Sequence, residues 1–323
     1  MNMRLPILSV LFVIFTSACT IPDLTGVGTT PQIGQAGRGL EIITFTLEPS
    51  TVFSGTTVRI NSEIQNLGGT TVPATKALVL LAGTNLNFSD TSGNSWRSGT
   101  SGDSVVKVID VDMKAEDVVR GIPPNIKRYT WSLIARNLTP GQTVSDTFFL
   151  RVYHDYTTAV NGNVWVYSET ESEAARASGR TLNKASFTTT SGPVGVAVTV
   201  SPDPVVLFGS EDKFTLSIKL SNLAQGTIFR KGAVTYSSVT GPQEINIKTT
   251  DLNNVTVSIT TTGLTLGSGC NGPQELVAGR DTTLFCEVTI NTPPTTFASF
   301  PLNINVDYSY FTEKTTTVTV QGR

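Results

Sequence analysis

From Leu40 onward the chain alternates between apolar and polar residues. In Thr56–Asn66, Val58, Ile60 and Ile64 fall at even positions, with Thr57, Arg59, Glu63 and Gln65 between them. That period of two predicts a strand buried on one face. Ile42–Leu47, Lys76–Ala82, Val105–Val111, Tyr129–Ala135 and Asp146–Tyr156 read as further strands. Asn161-Gly162-Asn163 reads as a turn into another, Val164–Ser168. Gly, Pro, Asn and Ser punctuate the series at Glu48-Pro49-Ser50, Phe53-Ser54-Gly55, Asn66-Leu67-Gly68-Gly69 and Thr139-Pro140-Gly141-Gln142. Asp112–Arg120 predicts one or two helical turns. Glu169–Arg180 has the best helix-forming composition but no wide apolar stripe, which predicts a short exposed helix or linker.

The second half replays the first. Val194–Val200 is broken by Ser201-Pro202-Asp203-Pro204 as the first strand is by Glu48-Pro49-Ser50. Phe208-Gly209-Ser210 stands near the place of Phe53-Ser54-Gly55. Phe214, Leu216, Ile218 and Leu220 alternate up to Asn222-Leu223, as Val58, Ile60 and Ile64 run up to Asn66-Leu67. Leu276–Gly279 echoes Leu138–Gly141, each before an apolar strand, Leu284–Val288 and Phe148–Val152. Asp155-Tyr156 and Asp307-Tyr308 are each expected to end a long strand. Two diverged copies of one β-domain account for this.

About seven short strands per half, without a long amphipathic helix, predict an all-β chain of two tandem β-sandwich domains, with a barrel as the runner-up. The second half resembles immunoglobulin-like modules of prokaryotic surface proteins, including the CARDB and S-layer-associated groups. The resemblance rests on the Pro-rich break, the Phe-Gly turn, the strand into Asn222-Leu223, the Leu276–Gly279 turn and Asp307-Tyr308-Ser309-Tyr310. The first half is similar at Asn66–Gly69, Trp131 and Tyr153–Tyr156. It implies an immunoglobulin-like fold and names no task.

The N-terminus sets the location. Arg4 precedes an apolar run, Leu5–Phe15, too short to span a bilayer and the right size for the core of a secretory signal. Ser17-Ala18-Cys19 resembles the lipobox of exported lipoproteins, although Thr16 stands where that family prefers Leu. The resemblance implies cleavage before Cys19 and a lipid anchor on its thiol; archaeal exported lipoproteins are similar. The expected organisation is a signal peptide over 1–18 and an attachment cysteine with a flexible tether over 19–39. Next come a first immunoglobulin-like sandwich over 40–190, with an inserted loop at 83–128, and a second over 191–323, with Thr188–Pro193 at the boundary.

Composition agrees with an exported β-protein. Charged residues are 15%, and the net charge of −2 gives no electrostatic reason to bind nucleic acid. With Cys19 lipidated, Cys270 and Cys286 remain as a pair, which in an exported chain predicts a disulfide.

No residue set predicts catalysis, a cofactor or a metal site. His154 is the one histidine, expected at the surface or between domains, and no nucleophile-elbow pattern accompanies it. Asp90-Thr91-Ser92-Gly93-Asn94 spaces oxygens as calcium loops do, without the bidentate glutamate or the right glycine position. Asp110, Asp112, Glu116 and Asp117 read as a solvated acidic face. Trp131 reads as core and Trp165 as core or edge, whereas Trp96, in a polar loop, is the candidate sugar contact. Asn87, Asn137 and Asn254 begin glycosylation sequons. The expectation is a non-catalytic, membrane-tethered surface protein acting in envelope structure, adhesion or protein interaction. Its partners would be the membrane through the lipid and other surface proteins or glycans. The alternatives are a carbohydrate-binding accessory lipoprotein and a self-assembling filament subunit that donates Thr20–Leu47 to the next copy.

Overall fold

The computed structural model describes residues 38–83, 88–90, 95–96, 106–117, 119–209, 212–236, 245 and 247–323. The signal segment, Cys19, most of the tether, Asn87 and the Ser92–Asn94 part of the calcium-like loop lie outside them. The first half holds β1 (Leu40–Glu48), β2 (Thr51–Phe53), β3 (Thr57–Asn66), β4 (Ala77–Gly83), β5 (Phe88–Asp90), β6 (Ser95–Trp96), β7 (Val106–Val108), β8 (Ile126–Ile134) and β9 (Thr143–Ser168). A helix, α1 (Glu169–Ala177), and β10 (Ser186–Thr189) lead on. The second half holds β11 (Val194–Ser201), β12 (Val205–Leu207), β13 (Lys213–Asn222), β14 (Thr227–Phe229), β15 (Asn254–Thr261), β16 (Leu264–Leu266), β17 (Gly272–Glu275), β18 (Asp281–Ile290) and β19 (Phe297–Gln321).

These strands build a β-sandwich from three sheets. A five-stranded sheet, β1-β3-β8-β5-β6, belongs to the first half, and a four-stranded sheet, β11-β13-β18-β16, to the second. Both pack on a ten-stranded sheet whose spine is β17-β15-β19-β9-β4-β7. The alternation decides which residues meet. Val58, Ile60 and Ile64 of β3 and Leu216, Ile218 and Leu220 of β13 are fully buried. They share one apolar core with Phe148, Leu150 and Val152 of β9 and Ile304 and Val306 of β19.

The two halves are joined by their longest strands. All 25 residues of β19 pair antiparallel with β9. The start of β9 lies beside the end of β19 under the first half, and the reverse holds under the second. A cut at 190/191 separates β1–β10 from β11–β19, yet each side of that cut supplies strand to the sheet beneath the other.

Several expectations change here. Asn161-Gly162-Asn163 is not a turn, and neither Asp155-Tyr156 nor Asp307-Tyr308 ends a strand, because β9 and β19 run through them. Gly162 serves close approach instead. A Cβ there would lie 2.2 Å from the Ser186 carbonyl oxygen, where β10 pairs with β9. Among its described residues, Asp112–Arg120 forms no helix. Met113 bridges to Val72 through both backbone groups, and its carbonyl also accepts from Asn66 Nδ2 at 2.7 Å, so neighbouring chain satisfies what a helix would. Leu138–Gly141 and Leu276–Gly279 are both turns with a glycine at positive φ, but they lead into β9 and β18, which are not equivalent. The helix forms over Glu169–Ala177, capped by Ser168, whose side chain accepts from the Glu171 N–H. Finally, Leu40–Leu47 of the segment expected to be donated to another copy is seated in its own chain, as β1 beside β3.

Candidate functional site

The centre of the β9–β19 ladder is where the internal repeat becomes physical. Asp155 pairs directly with Ser309, 154 positions on, and Ser309 Oγ donates to Asp155 Oδ1 at 2.5 Å. On the opposite face lie the residues on either side. His154 is buried with Tyr156, Tyr308 and Tyr310, ring centroids 5.7–6.1 Å apart between neighbours. Each half uses them alike. The Leu40 N–H, at the start of the first repeat, donates to His154 Nε2 at 3.3 Å. The Val194 N–H, at the start of the second, donates to Tyr308 Oη at 3.0 Å. Asn66 Nδ2 closes its loop on the Thr70 carbonyl, and Asn222 Nδ2 closes its own on that of Gly226. The Thr70 N–H then donates to Tyr156 Oη, and the Gly226 N–H to Tyr310 Oη.

Burial sets the chemistry of this centre. It pushes the His154 pKa down from 6.5 to about 3, so the ring is neutral. Nε2 accepts, so Nδ1 carries the proton, and Nδ1 has no hydrogen-bond partner among the described residues. Burial raises the Tyr308 and Tyr310 phenols out of reach of any physiological base. His154 is therefore not at the surface. It holds the first strand of the first repeat against the shared sheet, as Tyr308 holds the first strand of the second.

A second feature lies on the outward face of the same sheet, under the second half. Even positions of β9 and β19 face the core there, as Val164, Val166, Leu302 and Ile304 do. Odd positions face out. Trp165, half-buried, lies 6.1 Å from the Phe297 ring, and Tyr167, directly across the ladder from Phe297, also lies 6.1 Å from it. Tyr167 is covered, its hydroxyl accepting from the Asn183 N–H at 2.9 Å, whereas Phe297 is 52% exposed. Asn161, Asn163, Asn303 and Asn305 continue the outward row and are exposed. Sequence reading missed Phe297 and took the two β9 asparagines for a turn. The signal was present as polar odd positions against apolar even ones in Leu302–Val306.

Trp96, the expected sugar contact, belongs to β6, and its side chain lies outside the described residues. Trp131 is core. Cys270 and Cys286 are both buried and stand as free thiols in contact, with burial pushing the Cys286 thiol up to about 12. Asn137 is exposed between β8 and β9. Asn254 Nδ2 donates to the Thr250 and Leu252 carbonyls, at 2.8 and 3.1 Å, so a glycan there would require breaking both bonds. Three of the four residues expected to form an acidic face, all but Glu116, are engaged individually. Asp110 pairs with Lys127 at 2.7 Å, Asp117 pairs with Arg120, and Asp112 accepts from the Ala74 N–H. Among the described residues no helix is long and apolar enough to cross a membrane.

No protein-family model and no curated protein matches the chain. Among solved structures it is similar to native Escherichia coli alpha-2-macroglobulin at 11% identity and a TM-score of 0.22, over 90% of this chain and 17% of that one. It is similar to red sea bream transglutaminase at 11% identity and a TM-score of 0.19, over 87% of this chain and 31% of that one. It is also similar to the Enterococcus faecalis MSCRAMM ACE, which binds its ligands by the collagen hug, at 9% identity and a TM-score of 0.17, over 87% of this chain and 95% of that one. The chain thus spans under a third of the length of the first two.

Proposed function

We propose that this is an exported, lipid-anchored, non-catalytic surface protein acting in envelope structure, adhesion or protein interaction. The observation that supports the reading best is the unbroken β9–β19 ladder. At ~3.3 Å per residue, a 25-residue strand runs on the order of 80 Å. It makes both halves one stiff body with its outward faces free for partners. The polar groups at the ladder's centre are spent on backbone N–H groups, a structural use. Fractionation of expressing cells tests the tether. The wild-type protein should sediment with membranes, with a mature mass that begins at a lipidated Cys19. Cys19→Ser should be released, since each buried CH₂ of an acyl chain is worth ~0.8 kcal/mol. A wild-type protein found wholly in the soluble fraction overturns the anchor, and stoichiometric labelling by a serine-directed covalent probe overturns the non-catalytic reading.

A further inference from the structure

We infer that the outward face of β9, β19 and β15 under the second half binds a neutral polysaccharide. This deepens the reading above by naming a ligand class for one face. The first observation is the cluster of tilted aromatic rings at one end. Phe297 is exposed and flanked by Trp165, and a flat apolar ring is the surface on which the C–H face of a sugar packs. The second is the run of amides and hydroxyls that extends from these rings along the strands. Asn163 lies across from Pro301, and Asn161 across from Asn303. On β15, Thr260 pairs with Asn303 and Ser258 with Asn305, and all four are exposed. Amides and hydroxyls donate and accept at once, which suits a chain of hydroxyl groups.

The third observation is charge. From Phe297 to Asn305, roughly 27 Å at ~3.4 Å per residue, the outward positions of β19 carry none, and neither do those of β9 or β15 beside them. An ionised pair, Asp307 with Lys231, appears only at the junction. The outer face of the four-stranded sheet differs. It carries Lys213 with Glu287 and Lys219 with Asp281, and that of the five-stranded sheet carries Arg128 with Glu63. A charge-free polar face matches an uncharged ligand and offers nothing to a phosphate or a uronate. A second copy of the chain fits less well, because stable interfaces need an aromatic and aliphatic centre. Here the apolar side chains sit at one end and asparagines fill the middle.

Affinity electrophoresis of the full chain tests this, in native gels cast with mixed-linkage β-glucan, glucomannan, xylan or α-glucan, and with hyaluronan as the charged control. At least one neutral polysaccharide should retard the protein, equally at low and high salt. Phe297→Ala should weaken the retardation about tenfold or more, the loss of one well-stacked ring. Asn303→Lys should weaken it as well. Phe285→Ala, which removes an exposed aromatic from the other sheet, should leave it unchanged. All these positions are solvent-facing, and a thermal melt confirms that each variant folds. Retardation by hyaluronan alone, or lost at high salt, overturns the proposal, as does none by any of the four neutral polymers. Self-association in gel filtration that Phe297→Ala abolishes would instead assign the face to a second copy. None of these outcomes bears on the membrane fractionation, so the anchored reading stands or falls separately.

Discussion

Mild acid should weaken this protein through His154. Its ring is fully buried, with its pKa lowered by burial to about 3. Against it lie the Tyr156 and Tyr310 rings and Gly39, while Asp155 occupies the opposite face of the strand. The folded-state pKa lies below the unfolded value, so below about pH 6.5 the unfolded chain binds the extra proton. Stability is therefore complete above about pH 6.5 and is lost as pH falls, until about pH 3. From about pH 7.5 to about pH 5, some 1.5 units of that window are crossed. At 1.36 kcal/mol per unit the loss is about 2 kcal/mol. Glu41 and Asp146 have raised pKa values, chiefly from burial, and act in the opposite sense, favouring the fold at low pH. A variant cancels them. His154→Gln can keep an acceptor for the Leu40 N–H but does not titrate. Urea unfolding of both proteins at several pH values should show the wild type losing about 2 kcal/mol more than the variant over this range. The variant should be less stable at neutral pH, which does not enter the difference. Identical pH slopes would mean that His154 is solvated or finds a counter-charge, and would refute the buried neutral ring.

Two further outcomes rest on the packing. Gly162→Val should lift β10 from β9, since even a Cβ would meet the Ser186 carbonyl oxygen at 2.2 Å; overpacking of this kind costs ~1–3 kcal/mol, read as a lower melting temperature. An unchanged melt would show that β10 yields freely. Cys270 and Cys286 touch and are buried, so in an exporting compartment an oxidant such as a disulfide-exchange protein should convert them to a disulfide during folding. After folding, the raised Cys286 pKa leaves little thiolate to react. On the proposed export, thiol counting on the unfolded, unreduced protein should find neither cysteine reactive. Two reactive thiols would refute the bond, whose loop of about 17 residues is worth ~3 kcal/mol.

Period-two alternation carried most of the fold. β3 and β13 lie within a residue or so of the predicted strands, because one apolar face per strand fixes both existence and orientation. The helix after Ser168 was legible from its good helix formers alone, and the structure added the Ser168 cap. The repeat was legible at Asn66 and Asn222, whose side chains close equivalent loops. What local pattern could not reveal was partnership between distant residues. Gly162 looks like a turn until β10 is placed against it, since a glycine that permits close approach and one that permits positive φ are the same letter. His154 looked solitary because its counterpart in the second repeat is a tyrosine. Only the tertiary structure showed that an imidazole nitrogen and a phenol oxygen, each accepting one backbone N–H, do the same work. The aromatic row likewise needed both long strands side by side, since Trp165 and Phe297 are neighbours only across the β9–β19 ladder. The sequence by itself determined which side of each strand is wet, because that depends on residues two apart. The pairing of strands more than a hundred residues apart was decided by the shared sheet.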